Sequence, residues 1–225
     1  TSGGGGSRAF RLMTTQGNTN VSDAGIVYLE IIRNTQYDIE CPNSRLPSLT
    51  VNRNAPTGTN GARLYSEIKV AGNIVLSGYG ILQTNTPNYN LTVSGNFTIG
   101  SNAIYTPGLN LTIFNGNANT AFTVNGTING DLYSMEINKS SATLTLAGTN
   151  GNINMNGELS LLSGTLNDGG FTITTRGNIV NSATHTGSGK ILIAGALANR
   201  TIGGNGNGIF GNVEVNEAVD ILSTL

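Results

Sequence analysis

A phrase of two short runs, separated by glycine and a polar residue, recurs along this chain. LTVSGNFTIG at 91–100 is the clearest copy, and related copies stand at 68–78, 153–164 and 173–180. In each run every second residue is apolar, which is the period of a β-strand with one buried face. The Gly-Asn pair tolerates positive φ and suits a sharp corner. The phrase therefore predicts very short strands joined by tight corners.

The copies keep their order within a longer repeat. Asn52, Asn138 and Asn216 each end a similar phrase, and they lie 86 and 78 residues apart. We expect an N-terminal β-rich segment at 1–45, followed by two related units and the start of a third, at 46–131, 132–209 and 210–225. Because the last unit is cut short, we also expect the chain to be part of a longer polypeptide.

Short strands at regular intervals suit a sandwich, a barrel or a solenoid. Internal repeats favour the solenoid, because each turn then stacks on a similar turn. At ~20–25 residues per turn and ~4.8 Å between turns, we predict an all-β, right-handed parallel β-helix of roughly ten rungs. Like would stack on like, so the recurring asparagines are expected to form side-chain amide ladders: Asn52, Asn138 and Asn216, and Asn73, Asn96 and Asn178.

Charge and hydropathy each argue against one class of partner. Charged residues make up 10% of the chain, the net charge is −1, and the basic residues are scattered singly. Nucleic-acid binding needs clustered Lys and Arg, so we expect none. The sequence also lacks an apolar run of the ~18 residues that a membrane-spanning helix needs, so we expect no membrane insertion.

Catalytic and metal-binding residues are not indicated by the pattern. Asp38 and Glu40 are the only acidic pair spaced to share a strand face, and Cys41 is the only cysteine. His185, the only histidine, stands in a turn-rich stretch and is expected to be a solvated or hydrogen-bonded turn residue. GGNGNG at 203–208 lacks the aspartate of a calcium repeat. We expect no enzyme, no metal and no cofactor, with Cys41 as a small core residue.

Exposed aromatic side chains are the usual platforms for ligands and partners. Tyr79, Tyr89 and Tyr105 break the repeat and fall in turn-rich segments, so they are the candidate contact residues. Tyr65 and Tyr133 recur in the same LYS phrase, which favours a structural role for both.

Threonines alternate with the apolar residues and are expected to point outward: Thr50, Thr92, Thr112, Thr123, Thr145 and Thr172. The strings at 143–145 and 172–174 place two threonines on one strand face. Such pairs are similar to those of ice-binding β-solenoids.

The string GELSLLSGTLNDGGFTITTRGNIVNSATHTGSGKILIAG at 157–195 resembles the repeats of very large secreted surface proteins of Bacteroidetes. Many of those are similar to adhesins and carry a signal for type IX secretion. The steps GSGKI at 187–191 and FGNVEVN at 210–216 follow the same order as in those repeats. The match is close over 132–225, looser over 46–131 and absent over 1–45. These motifs specify the fold, so the resemblance assigns no functional residue to this chain.

The resemblance implies an extracellular, cell-surface location. The predicted function is a non-catalytic structural and adhesive stalk of a large bacterial surface protein or filament. Its expected partners are neighbouring parts of the same polypeptide or other subunits, stacked end to end, together with surface glycans or other cells. The first alternative is a carbohydrate-active or carbohydrate-binding β-helix protein. The second is an ice-binding or phage-fibre solenoid.

Overall fold

The computed structural model describes residues 8–11, 25–31, 36–42, 44–56, 58–85, 87–195 and 200–216. In these residues the chain is all β-strand and turn, and the strands stack in parallel as a β-solenoid of about eight turns. This confirms the predicted fold class, with a number of turns close to the roughly ten expected. At ~4.8 Å per turn the stack is roughly 38 Å long. The strands fall into three columns, one strand of each column in each turn.

Column 1 runs through the whole stack. Leu49 pairs with Ile74 of the next turn. Further along the stack, Phe97 pairs with Phe122, which also lies in the turn next to it. Its strands are β2 (Val27–Ile31), β4 (Leu49–Arg53), β7 (Ile74–Gly78), β10 (Phe97–Ile99), β13 (Thr120–Val124), the second halves of β15 (Ser134–Ala147) and β17 (Leu159–Asn167), and β20 (Thr184–Thr186).

Column 3 is joined to column 1 because β15 and β17 are long strands that bend from one column into the other. Its strands are β6 (Ile68–Val70), β9 (Leu91–Val93), β12 (Leu111–Asn115), the first halves of β15 and β17, β19 (Ile179–Asn181) and β22 (Ile202–Gly203). The two columns together form one 13-stranded sheet, in which β15 and β17 belong to both columns.

Column 2 is divided into two sheets. The first has six strands: β1 (Arg8–Arg11), β3 (Tyr37–Glu40), β5 (Ala62–Leu64), β8 (Ile81–Gln83), β11 (Ile104–Thr106) and β14 (Thr127–Ile128). The second has four: β16 (Ile153–Met155), β18 (Thr172–Thr175), β21 (Lys190–Ile193) and β23 (Val213–Val215). Met155 of β16 makes an isolated bridge to Leu132, which lies between β14 and β15.

The core is a continuous stack of inward-facing aliphatic side chains, in which alternate residues of most short strands are buried. An aromatic cluster fills its centre. Phe97 stacks on Phe122 with ring centroids 5.1 Å apart and meets Tyr105 edge-on at 5.2 Å. Offset-stacked and edge-on pairs are the favourable aromatic geometries, so this cluster anchors the middle turns.

The long repeat does not stack like on like, and that prediction is wrong. Asn52 lies in column 1, Asn138 in column 3, and Asn216 directly after a strand of column 2. From β2 onward, paired residues of neighbouring turns are 18 to 25 positions apart, from Thr172 with Lys190 to Leu49 with Ile74. A repeat of 86 or 78 residues is therefore three turns plus part of a fourth, which moves each copy to another column.

The asparagine ladders differ from the expectation for the same reason. At the corner from column 3 to column 1, Asn73 Oδ1 accepts from the backbone N–H of Asn96 at 2.8 Å, and Asn96 Oδ1 accepts from that of Ala121 at 2.8 Å. Asn178 lies at another corner, where its Oδ1 accepts from the N–H of Thr201. The ladder thus joins amide oxygens to backbone N–H groups of the next turn, not amide to amide.

The corner from column 3 to column 1 also needs left-handed backbone. Gly116, Ser140 and Gly164 occupy it in three successive turns with φ of 94°, 54° and 81°. Lys139 is fully buried beside Ser140, and its Nζ donates to the carbonyl oxygen of Asn115 at 2.8 Å. This lysine closes a corner where the pairing of β15 with β17 is irregular.

Parts of all four predicted segments lie outside the described residues, including 57, 86 and 196–199. The N-terminal segment 1–45 is described only in part, with β1, β2 and β3 inside it. Of the expected third unit, 210–216 is described and contains β23.

Candidate functional site

Tyr105 is not available as a surface contact, because it is fully buried. Its hydroxyl lies 3.2 Å from Thr112 Oγ1 and 3.5 Å from Thr84 Oγ1, and Thr84 donates to Asn110 Oδ1 at 3.0 Å. Burial raises the pKa of Tyr105, against the effect of these hydrogen bonds. Thr112 is buried too, contrary to the prediction that it points outward. Phe114 takes the inward position of β12, which turns Thr112 inward with it.

Tyr79 and Tyr89 lie at different corners. Tyr79 is half-buried between β7 and β8, and Tyr89 is half-buried before β9, packed against the core. The structure does not bring the three predicted tyrosines together at one site. A contact role for Tyr79 and Tyr89 stays a prediction.

A groove lies at the corner from column 2 to column 3, where the connecting loops of four successive turns meet. Its volume is about 330 Å³, and its lining residues are Asn85, Asn88, Pro107, Gly108, Leu109, Asp131, Tyr133 and Asn156. The loops leave strands β8, β11, β14 and β16 in turn, so stacking of the solenoid alone aligns them. We define these eight residues as the corner groove.

Hydrogen bonds between turns hold the groove together. Asn88, which has a φ of 42°, accepts at Oδ1 from the backbone N–H of Leu109 at 2.9 Å. A side chain at Gly108 would place its Cβ 2.2 Å from that oxygen and 2.4 Å from the Cα of Asn85. Glycine at 108 therefore allows the two loops to approach each other.

An ion pair closes one end of the groove. Arg176 Nη1 donates to Asp131 Oδ2 at 2.8 Å and to Asn156 Oδ1 at 2.9 Å, joining residues from three successive turns. Both charged side chains are partly exposed. A half-exposed ion pair adds little to stability, but here it fixes the position of a carboxylate at the groove.

Two large apolar side chains are exposed in the groove, Leu109 at 69% and Tyr133 at 42%. Tyr133 recurs in the LYS phrase, which favoured a structural role, yet the structure places its ring on the surface. Its counterpart Tyr65 is 45% exposed, with the guanidinium of Arg63 5.6 Å from its ring centroid. Leu109, Asp131 and Arg176 were not predicted from the sequence as site residues. The available signal was Leu109, an apolar residue inside the turn TPGLN.

His185 lies in strand β20, not in a turn, and is fully buried. Its Nε2 lies 3.1 Å from Oδ2 of Asp168, which is also fully buried. Asp168 Oδ1 accepts from the N–H groups of Gly170 and Gly189, both at 2.8 Å. Burial lowers the pKa of His185, and the charge of Asp168 opposes this. The pair links the last turns, and neither side chain is exposed to solvent.

Asp38, one of the two acidic residues that the sequence places on one strand face, is engaged in an ion pair. Asp38 is bound by Arg63 of the next turn through two hydrogen bonds, Nε to Oδ1 at 2.8 Å and Nη2 to Oδ2 at 3.0 Å. Both oxygens of this carboxylate are therefore engaged by one guanidinium. Cys41 is a buried free thiol, as expected of a small core residue, and burial raises its pKa.

No protein-family model, no curated protein and no solved structure matches this chain. Within the described part of the chain, no helix is long and apolar enough to cross a membrane. Across the same residues, His, Cys, Asp and Glu side chains do not gather in groups of three or more that could hold a metal ion. What the protein does must be inferred from its own sequence and geometry.

Proposed function

We propose that this chain is a non-catalytic structural and adhesive segment of a large bacterial cell-surface protein or filament. It acts outside the cell as a stalk that extends and presents binding elements. The resemblance of 157–195, with the FGNVEVN step at 210–216, to secreted surface repeats supports the extracellular location.

The observation that carries the proposal is the uninterrupted column 1, which runs from Val27–Ile31 to Thr184–Thr186 without a break in strand pairing. In a solenoid each turn contacts only its neighbours, so turns can be added without changing the fold. Such a stack suits a spacer whose length is its purpose.

The last described turn supports end-to-end stacking. Val213 and Val215 pair with Ile191 and Ile193 of the preceding turn, and both isoleucines are fully buried. The two valines are exposed, at 39% and 44%. A further turn stacked there, from the same polypeptide or another subunit, would bury them as the isoleucines are buried.

The test is protease shaving of intact cells of the source organism, with mass spectrometry of the released peptides. Release of peptides from this sequence, while cytoplasmic marker proteins stay inside, is the expected result. Recovery of the sequence only from lysed cells, or only from spent medium or virions, would contradict the proposal.

Ice binding is the second candidate, and one observation favours it. The string at 143–145 stacks on 165–167 and then on 184–186 in column 1. This places Thr143, Thr165 and Thr184 in one outward row, and Thr145, Asn167 and Thr186 in the row beside it. The other threonine pair, at 172–174, lies in column 2. Thermal hysteresis of the purified chain would support this function, and its absence would exclude it.

A further inference from the structure

The corner groove brings two exposed apolar side chains, Leu109 and Tyr133, together with the ion pair of Asp131 and Arg176. Its volume of about 330 Å³ falls at the lower end of the range of small-molecule sites, about 300–1,000 Å³. Four turns contribute to it, so it is as rigid as the stack that carries it. A rigid site does not have to be ordered when a ligand binds.

The groove offers an apolar platform. Leu109 and Tyr133 come from neighbouring turns, and each exposes a large part of its side chain. Tyr and Leu faces of this kind bind ligands that present a flat patch of C–H groups. Pyranose rings have such a face, with hydroxyl groups around its edge.

The polar groups beside the platform match hydroxyl groups. Asn88 Oδ1 and Asn156 Oδ1 are occupied by Leu109 N–H and Arg176, which leaves the two amide NH₂ groups to donate. Asp131 Oδ2 is held by Arg176, and its Oδ1 has no hydrogen-bond partner among the described residues. A hydroxyl group donates and accepts at once, so it can satisfy a carboxylate oxygen and an amide NH₂ together.

The charge of the groove selects against ions. Asp131 is the only ionisable acid or base among the lining residues apart from the phenol of Tyr133, and Arg176 neutralises it. The carboxylate would repel a phosphate or sulfate, and the guanidinium would repel a cation. A neutral polyhydroxylated ligand is repelled by neither group.

From these contacts we infer that the corner groove binds a neutral glycan, with one sugar ring stacked on Tyr133 and Leu109 and its hydroxyl groups bound by Asp131, Asn88 and Asn156. The inference names a ligand for the adhesive part of the proposed function. It rests on that function only for the display of the groove on a cell surface.

The test uses the purified chain on a panel of immobilised neutral oligosaccharides of glucose, mannose, galactose and N-acetylglucosamine, with calorimetry on those that bind. We expect binding to at least one class. Tyr133→Ala should weaken that binding roughly ten-fold or more, because it removes a central aromatic contact. Asp131→Asn should weaken it as well, by removing the charged acceptor.

Tyr65→Ala is the matched control, since Tyr65 lies in the same LYS phrase with similar exposure but outside the groove. It should leave binding unchanged, and unfolding curves of all variants should coincide closely. Absence of binding to every oligosaccharide, or equal affinity of the Tyr133→Ala and Tyr65→Ala variants, would overturn the inference. Cell shaving tests the stalk function separately. Glycan binding by the groove can therefore be refuted while the stalk function is supported, and the stalk function can be refuted while glycan binding is supported.

Discussion

Asp168 and His185 are joined by a 3.1 Å contact between Oδ2 and Nε2, and neither side chain has any exposed surface. Asp168 also accepts from two backbone N–H groups, so one carboxylate secures a strand of column 1 and two glycines of the adjoining corners. The other ring nitrogen, Nδ1 of His185, has no hydrogen-bond partner in the described part of the chain. The last turns therefore depend on the protonation state of one buried residue.

Stability should fall in mild acid. Burial lowers the pKa of His185 below its ordinary 6.5, so the folded state binds this proton less readily than the unfolded state. The contribution of neutral His185 to the free energy of unfolding is complete above about pH 6.5 and decreases as the pH falls toward the lowered pKa. Urea midpoints from about pH 8 to about pH 5 measure this. His185→Gln, which has no titrating ring, should lose the part of the decline below about pH 6.5. Identical profiles for both proteins would contradict the assignment.

Asp168→Ala should lower the free energy of unfolding by about 3 kcal/mol, because three buried hydrogen-bond donors lose their acceptor. Asp168→Asn keeps one oxygen that can accept from Gly170 and Gly189, so its loss should be clearly smaller. Equilibrium urea denaturation at neutral pH compares the two. Equal losses would show that the acceptor geometry is not what matters.

Lys139 should resist amine-reactive reagents. Its Nζ is buried and donates to the Asn115 carbonyl, and burial lowers its pKa. Lys69 is exposed and serves as the internal reference. Brief acetylation followed by mass spectrometry should find Lys69 modified and Lys139 unmodified, with both modified after denaturation. Equal labelling of the two in the native protein would place Lys139 outside the core.

Tyr105 should matter for stability alone. Tyr105→Phe removes a hydroxyl that bridges Thr84 and Thr112, at a cost of about 1 kcal/mol. Tyr105→Ala also leaves a cavity beside Phe97 and should cost about 3–5 kcal/mol. Tyr79→Phe, at a half-buried position, should change stability by less than about 0.5 kcal/mol. Denaturant unfolding separates these values, and a neutral Tyr105→Ala would show that the aromatic cluster is not tightly packed.

The sequence was sufficient for the fold class because its signal is local. Alternation within LTVSGNFTIG and glycine at the corners specify short strands and turns wherever they occur. Which corners stack was not predictable from the repeat. The repeat is longer than three turns by part of a turn, so equivalent asparagines enter different columns, as Asn52 and Asn138 do.

The misplaced residues have physical reasons. Strand β12 reads LTIF, so apolar side chains at 111, 113 and 114 fit either phase, and the larger Phe114 takes the interior. That choice turns Thr112 inward to the hydroxyl of Tyr105. The corner groove was not predictable because Asn88, Leu109, Asp131 and Asn156 come from four turns and share no motif. Only the stacking brings them together.

Engineered disulfides distinguish stacking of neighbouring turns from stacking of equivalent repeat positions. Thr98 and Thr123 are paired, outward-facing residues of neighbouring turns. Stacked strands are about 4.8 Å apart, within the Cα separation of about 4.4–6.8 Å that a disulfide spans. In a Cys41→Ala background, Thr98→Cys with Thr123→Cys should oxidise to an intramolecular disulfide. Asn52→Cys with Asn138→Cys, which joins equivalent repeat positions, should stay reduced. Cross-linking of the second pair and not the first would contradict the three-column solenoid.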